Sequence, residues 1–282
     1  MSEKGVVGWA GNVYKNISAL PFRLPFLEEG FMASHLRLGV LCVFGFCCAC
    51  VSYAQDKGTP AEIMTKAIAA LGGPEKVKAF DSAAYDLKGE LHVQSVTLPF
   101  QAEVTLQGAD RQRIALSFSL EGQEQKIVQI LNREKGWVNL NGVTVAMDGD
   151  KLTNALAEAR AAWIAAMLPL ENPEYTLAPL GESKVGDQTV ASVRVSCKLC
   201  RDVELFFDKD SGLLLKSKSS VTDEATDGQV EQETLYADYT ENNGLKTATK
   251  LTVKRAGQLY LSAERTNYRS LPEIADSIFA EP

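Results

Sequence analysis

The alternation of apolar and polar positions divides the chain into three stretches. An uncharged apolar run of 14 residues occupies positions 38–51. Between positions 59 and 80, apolar residues recur every three or four positions, which is the period of a helix. From Tyr85 onward the dominant period is two, as in antiparallel strands with one buried and one solvated face. The pattern predicts a mainly β protein with a few helices.

The first predicted helix carries its own start and stop signals. Thr59-Pro60-Ala61-Glu62 matches a capping box with proline at the first helical position. Gly72-Gly73 provides a left-handed end, and Pro74 starts a further turn. The apolar face of this helix consists of Ile63, Met64, Ala67, Ile68 and Leu71.

The predicted strands carry apolar residues at alternate positions. In the first three strands these are Tyr85, Leu87, Leu91 and Val93, then Phe100, Ala102, Val104 and Leu106, then Ile114, Leu116, Phe118 and Leu120. Later strands are predicted around residues 174–180, 189–197, 201–207, 213–219, 231–240, 246–256 and 259–268, with turns at 208–212 and 241–244.

One long helix interrupts the series of strands. Residues 148–150 can cap its start, and Pro169 ends it. Its apolar stripe contains Leu152, Leu156, Ala159, Trp163, Ala166 and Met167, widened by Ile164 and Leu168. Ordinary packing of a helix on a sheet explains such a stripe, and so does a lid over a ligand-sized hollow.

The balance between strands and helices predicts the architecture. Two helices cover less area than a sheet of about ten strands exposes. We expect one domain over residues 55–282, built on a single curved antiparallel sheet with an N-terminal helix and a central helix. The uncovered concave side predicts a partly filled apolar hollow.

The apolar run near the N-terminus is typical of a secretory signal peptide. His35 and Arg37 precede it, and small residues at 52 and 54 suit cleavage after Ala54. It is short for a membrane-spanning helix, which needs about 20 apolar residues. We expect residues 32–54 to be the signal, residues 1–31 to be an over-extended start, and the protein to be periplasmic. The alternatives are an uncleaved anchor or a membrane-anchored lipoprotein acylated at Cys50.

Charge and histidine content exclude some function classes. The 29 basic and 36 acidic residues give a net charge of -7, without a basic run, which disfavours nucleic-acid binding. His92 is one of two histidines and lies on the polar side of its strand. Acidic pairs such as Asp208 with Asp210 fall in turns. We find no group of nucleophile, base and oxyanion donors, and we expect no enzyme, no cofactor and no metal.

Cys197-Lys198-Leu199-Cys200 is the sharpest local motif. In an exported protein, a local disulfide is the favoured interpretation of such a pair. A zinc site lacks two further soft ligands, and a redox pair usually lies at a helix N-terminus, whereas strands flank this motif. Pairing Val195 with Val203 and Val193 with Leu205 would place the cysteines at the hairpin turn.

Several motifs resemble lipoprotein-carrier-like domains. These are residues 69–77, the strand Gly136-Trp137-Val138 before the long helix, and the segments 207–214, 236–239 and 278–282. The resemblance covers roughly residues 59–282, and it is to the outer-membrane lipoprotein-sorting proteins of the periplasm. It implies an open antiparallel half-barrel whose concave apolar face is lidded by helices and which, in the best-known members, shields acyl chains.

The resemblance suggests which residues form the ligand site. The candidates for the lining of the hollow are Phe100, Val104, Leu116, Phe118, Trp137, Leu156, Trp163 and Met167. The expected function is a non-catalytic carrier, acting as a monomer, for a hydrophobic small molecule, a lipid or an acylated protein. The alternative is an envelope interaction or structural module with a packed interior, bound to another envelope protein.

Overall fold

The computed structural model describes residues 58–93, 96–166, 174–198, 200–223 and 228–282, without the side chain of Phe80. Its helices are α1 (Pro60–Ala70), α2 (Pro74–Lys78) and α3 (Gly149–Ala165), with 3₁₀ turns at Ala79–Asp81 and Asp276–Phe279. The predictions for residues 1–54, and those for Met167, Leu168 and Pro169, lie outside the described residues.

Thirteen strands of the described chain form one antiparallel sheet. They are β1 (Ser82–Val93), β2 (Val96–Gln107), β3 (Arg111–Leu120), β4 (Gln123–Asn132), β5 (Lys135–Leu140), β6 (Val143–Ala146), β7 (Thr176–Val185), β8 (Gln188–Ser196), β9 (Val203–Asp208), β10 (Leu214–Thr222), β11 (Gln229–Asn242), β12 (Leu245–Arg255) and β13 (Gln258–Ser270). The count exceeds the ten strands predicted from alternation by three, β4, β5 and β6, which follow one another through tight turns.

The sheet joins two series of hairpins. The spatial order is β6-β5-β4-β3-β2-β1-β13-β12-β11-β10-β9-β8-β7, so β1 to β6 form one series and β7 to β13 the other. Helix α3 lies between the two series in the chain, and β1 pairs with β13 where they meet. β6 and β7 are at opposite edges, which confirms the predicted single open sheet.

Helix α1 begins at the predicted capping box. The Thr59 hydroxyl accepts a hydrogen bond from the Glu62 amide, and the Thr59 amide donates to Glu62 Oε2 at 2.7 Å. The backbone hydrogen bond from Thr59 also lowers the pKa of the Glu62 carboxyl. Asp148 occupies the N-cap of α3 as predicted, but its side chain makes no capping hydrogen bond.

The main core lies between the sheet and the helices. Met64 and Ala67 of α1 and Ile164 of α3 are buried against apolar residues of β8, β9 and β10. The described helices cover only part of the concave face, because α1 packs on β7 and β8 while α3 packs on β9 and β10. The predicted mainly β fold with lidding helices is therefore confirmed.

The C-terminal segment packs on the opposite, convex face. Phe279 is completely buried against Val128 and Ile130 of β4. The Arg111 guanidinium lies 4.4 Å from the centroid of the Phe279 ring, and it also pairs with Asp276 at 2.6 Å. The C-terminal segment therefore packs against β3 and β4 on the convex face of the sheet.

Candidate ligand-binding site

A cavity of about 300 Å³ lies between the concave face of the sheet and α3. This volume is at the lower end of the ~300–1,000 Å³ typical of small-molecule sites. The apolar residues around it are Leu71, Val77, Leu106, Ala109, Val203, Leu214, Val221, Leu245, Ala248, Leu251 and Val253, with Ala159, Ala161, Ala162, Trp163, Ala165 and Ala166 from α3 and its C-cap. Both helical and strand segments therefore enclose the site.

Helix α3 contributes small side chains and one large aromatic side chain. Four of its cavity-lining residues are alanines, and Trp163 is 8% exposed. Alanine side chains are short, so they leave space between α3 and the sheet. Of the apolar stripe predicted from the sequence, Ala159, Trp163 and Ala166 line the cavity.

Two tyrosines of β11 line the cavity with their hydroxyls engaged. The Tyr236 and Ser217 hydroxyls lie 2.9 Å apart, and the Tyr239 hydroxyl donates to the Leu214 carbonyl oxygen at 2.7 Å. Burial raises the pKa of both phenols. They therefore stay neutral at physiological pH and act as polar anchors between adjacent strands.

These tyrosines share a face because the backbone is irregular between them. Residues three apart in a regular strand point to opposite faces. Asp238 has a φ of 53°, in the left-handed region that aspartate tolerates better than most residues. Ala237 and Asp238 are both exposed, while Tyr236 and Tyr239 both line the cavity.

Arg265 of β13 also lines the cavity. Its guanidinium lies 4.6 Å from the centroid of the Tyr85 ring, in cation–π contact. Its charge lowers the pKa of the Tyr236 and Tyr239 phenols, against the larger effect of burial. None of the ion pairs found among the described residues involves Arg265.

Another part of the cavity contains an ion pair. Glu158 of α3 lines the cavity and lies 3.8 Å from Arg255 Nη2. The Nε of Arg255 donates to Gln232 Oε1 at 2.9 Å, and Gln232 is also part of the lining. The only carboxylate among the described lining residues is therefore already paired.

Four predicted lining residues lie on the concave face but outside the lining of the cavity. Phe100, Leu116 and Phe118 form a separate apolar group, called here the open cluster, whose members are Phe100, Ala102, Ala263, Leu87, Leu91, Ile114, Leu116, Phe118 and Leu261. Val104 pairs with Tyr85 and is buried on the same concave face. Several members of the open cluster are only half-buried, so this part of the face is less covered.

The helix residues and Trp137 have different positions. Trp163 lines the cavity, Leu156 is half-buried on α3 outside the lining, and Met167 lies outside the described residues. Trp137 pairs with Ile130 and packs against the group containing Phe279, on the convex face. Trp137 therefore does not face the hollow, because the C-terminal segment supplies its apolar partners.

Cys197 and Cys200 form the predicted disulfide. Their Cα atoms lie 5.3 Å apart. The strand register is also the predicted one, since Val193 pairs with Leu205 and Val195 with Val203. Cys200 packs against the main core. The disulfide thus closes the β8–β9 turn.

The remaining predicted polar residues have ordinary surroundings. His92 Nε2 lies 3.7 Å from Glu90, and Nδ1 lies 3.2 Å from the Thr97 hydroxyl. Over the described ranges, no cluster of three metal-ligating side chains occurs. Within the same part of the chain, none of the helices combines the length and the apolar character that a bilayer crossing requires.

Sequence reasoning missed Arg265 and the two β11 tyrosines as lining residues. In the sequence, Tyr236-Ala237-Asp238-Tyr239 stands out only as one of the motifs that resemble lipoprotein-carrier-like domains. An Asp or Asn inside an alternating strand is a usable signal, because these residues tolerate positive φ. For Arg265 the signal is the alternation itself, because Arg265 is in phase with Leu261 and Ala263 of the open cluster.

Comparison with solved structures identifies the fold. A LolA superfamily protein from Nitrosomonas europaea matches 79% of this chain and 98% of its own, with 13% identity and a TM-score of 0.53. A DUF1329 family protein from Desulfovibrio piger matches 78% of this chain and 96% of its own, with 14% identity and a TM-score of 0.51. No protein-family model and no curated protein matches the sequence. Identity this low establishes architecture alone, and the chain has the LolA-like fold that the sequence resemblance predicted.

Proposed function

We propose that the chain is a periplasmic, non-catalytic carrier or binding protein for a hydrophobic ligand held against the concave face of its sheet. The observation that carries this proposal is the cavity of about 300 Å³ beneath α3, with its largely apolar lining. Acyl chains, either of a lipid or of a lipoprotein, are the ligand class that the resemblance to lipoprotein carriers suggests.

Burial of an acyl chain supplies the binding energy. Each methylene removed from water contributes about 0.8 kcal/mol. Ten buried methylenes therefore give an upper bound of about 8 kcal/mol before the cost of ordering the chain is subtracted. No covalent step is needed, so binding and release of the ligand depend only on how much of its acyl chain the protein covers.

Displacement of helix α3 offers a route for entry and release. Helix α3 packs on β9 and β10, and four of its cavity-lining residues are alanines. Its large buried side chains are Trp163 and Ile164, so displacing α3 exposes mainly the apolar area of these two residues. A ligand that binds better under a displaced α3 shifts the population toward that state.

The compartment is inferred from two features. The apolar run at 38–51 has the length and flanks of a signal peptide. The Cys197–Cys200 disulfide fits an oxidising compartment.

Native mass spectrometry of the protein exported from its full-length gene, followed by organic extraction, tests the proposal. We expect co-purified acyl lipid, or uptake of a fluorescent fatty acid by ligand-free protein. Ala162 is exposed and lines the cavity, so Ala162→Phe should fill its mouth and weaken uptake roughly tenfold, or about 1.4 kcal/mol. Ala237→Phe, on the exposed convex side of β11, is the matched control.

Two results would contradict the carrier proposal. One is protein that neither retains nor takes up any amphiphile while a stable protein partner co-purifies, which would favour the envelope interaction module. The other is equal uptake by the wild type and Ala162→Phe, which would place any binding outside the cavity.

A further inference from the structure

The cavity contains a cation that the proposed hydrophobic cargo does not require. Arg265 is half-buried, lines the cavity, and has no ion pair among the described residues. Its Nε is buried and has no hydrogen-bond partner. Because a guanidinium stays charged at all physiological pH values, this is a charge in an apolar setting with unused donors.

The neighbouring side chains compensate the charge only in part. The face of the Tyr85 ring attracts the guanidinium at 4.6 Å, but a ring face accepts no in-plane N–H hydrogen bonds. The Tyr239 hydroxyl donates to Leu214 and the Tyr236 hydroxyl lies beside Ser217, and the Nε of Arg265 donates to neither. The planar fork of donors on Arg265 therefore remains available to an acceptor from outside the chain.

The charge balance of the lining is also positive. Its described charged residues are Glu158, Lys246 and Arg265. Glu158 lies beside Arg255, at 3.8 Å, and Lys246 is exposed. An anion that enters next to Arg265 thus meets no unpaired carboxylate of the described lining.

Arg265 lies where two apolar regions meet. It pairs across the sheet with Leu87 of the open cluster, and its ring partner Tyr85 belongs to the border of the main core. Leu251 and Val253 of the cavity pair with Ala263 and Leu261 of the open cluster. A ligand whose charged end binds Arg265 can therefore place its apolar chain either in the cavity or along the open cluster, and both lie on the concave face.

We propose that Arg265 is the anion-binding residue of this site and that the cargo is an amphiphile with a carboxylate or phosphate head and an acyl tail. Both heads present planar or forked pairs of oxygens that match two guanidinium donors. This inference rests on the proposed carrier function, and it specifies the chemical class of the cargo.

The test compares three long-chain ligands of equal tail length with two small anions, on the exported protein, by titration calorimetry. The probes are palmitate, hexadecyl phosphate, hexadecanol, acetate and inorganic phosphate. Arg265→Met removes the charge and keeps much of the side-chain length, and Arg265→Lys keeps the charge without the fork. Arg269→Met is the matched control, because Arg269 is exposed on the same strand and pairs with Ala84.

We expect the wild type to bind palmitate and hexadecyl phosphate at least tenfold more tightly than hexadecanol. Arg265→Met should abolish that preference and leave hexadecanol within about threefold, Arg265→Lys should keep part of it, and Arg269→Met should keep all of it. Since the preference of the wild type needs no variant, poor folding of Arg265→Met would not prevent the test.

Different failures have different meanings. Equal affinity of the wild type for palmitate and hexadecanol, or a preference that survives Arg265→Met, would overturn the anion assignment and leave the carrier function standing. Inorganic phosphate or acetate binding as tightly as its long-chain counterpart would also overturn the proposal, because the site would then take free anions. Binding of none of the long-chain probes would overturn the carrier function itself.

Discussion

The Arg265 guanidinium lies over the Tyr85 ring at the one pairing, β13 with β1, that joins the two series of hairpins. The contact places a positive charge on the concave face, where β1 and β13 join the two series of hairpins. Tyr236, Tyr239 and Tyr268 are close enough for that charge to lower the pKa of each phenol. The same residue thus connects the assembly of the sheet with the chemistry of the cavity.

Removal of the charge should raise the pKa of the neighbouring phenols. In Arg265→Met, we expect Tyr236, Tyr239 and Tyr268 to ionise at higher pH than in the wild type, because the attraction that favours phenolate is lost. Ultraviolet titration of tyrosinate measures the change. Arg269→Met should titrate like the wild type, and an unchanged titration curve of Arg265→Met would contradict the placement of the guanidinium.

Stability should fall in alkaline solution. Burial raises the pKa of Tyr268 to about 12, and it raises those of Tyr236 and Tyr239 as well. The folded chain holds these protons more tightly than the unfolded chain, whose tyrosines ionise near about pH 10. The stabilisation is therefore complete below that pH and is lost as pH rises toward the folded values.

Urea unfolding at a series of alkaline pH values measures this loss. Tyr236→Phe should show a shallower decline than the wild type, because it removes one of the titrating groups. A free energy of unfolding that stays constant through the ionisation of the unfolded-state tyrosines would contradict the burial of these phenols.

The carboxylate of Asp208 should stabilise the β9–β10 turn only when it is ionised. It accepts hydrogen bonds from the Ser211 amide and hydroxyl, each at 2.7 Å, and the amide bond is the largest cause of its lowered pKa. We expect Asp208→Asn to lower the free energy of unfolding by about 1 kcal/mol at neutral pH. The difference from the wild type should shrink as pH falls below the unfolded pKa of about 3.9 and through the folded value.

Asp210→Asn is the control for the turn, because Asp210 is exposed two residues away. Denaturant melts at neutral and acidic pH distinguish the two variants. Equal loss in both would mean that net charge, rather than the hydrogen bonds to Ser211, stabilises the turn.

The C-terminal segment should contribute strongly to stability without affecting the cavity. Phe279 is completely buried, so Phe279→Ala should cost about 3–5 kcal/mol. Ile278 is 40% exposed, and Ile278→Ala should cost much less. Thermal or chemical unfolding measures both, and a small loss in Phe279→Ala would mean that the segment detaches readily from β4.

Gly72 should not tolerate a side chain. A Cβ there would lie 1.9 Å from the Gly244 carbonyl oxygen, and its φ of 118° is unfavourable for any L side chain. We expect Gly72→Ala to cost more than about 2 kcal/mol, because the strain adds to displacement of the β11–β12 turn.

Gly73→Ala separates the two effects. Gly73 also has a positive φ, of 93°, but a Cβ there has no neighbour within 4 Å. The free energy of unfolding of Gly73→Ala should therefore fall only by the cost of the positive φ, about 1 kcal/mol. Equal losses measured for the two alanine variants by denaturant unfolding would show that the contact between Gly72 and Gly244 has little weight.

The sequence by itself determined the features that depend on neighbouring residues. The capping box at Thr59, the alternation through Phe100 and Val104, and the hairpin that closes at Cys197 and Cys200 all occur as expected. Each follows from hydrogen bonds or side-chain directions within a few residues, which are properties that the local order of residues fixes.

Only the tertiary structure decided which face several residues occupy. Trp137 lies on the convex face because Phe279 packs there, although the two residues are far apart in the chain. The left-handed Asp238 interrupts the alternation of β11, so Tyr239 lines the cavity together with Tyr236. Arg265 keeps the phase of Leu261 and Ala263, and pairing with the distant β1 places its charge at the cavity. An interruption of one residue reverses the faces that follow it, and alternation gives no reason to expect a charged residue in an apolar lining, so periodicity alone predicted the hollow but not its charge.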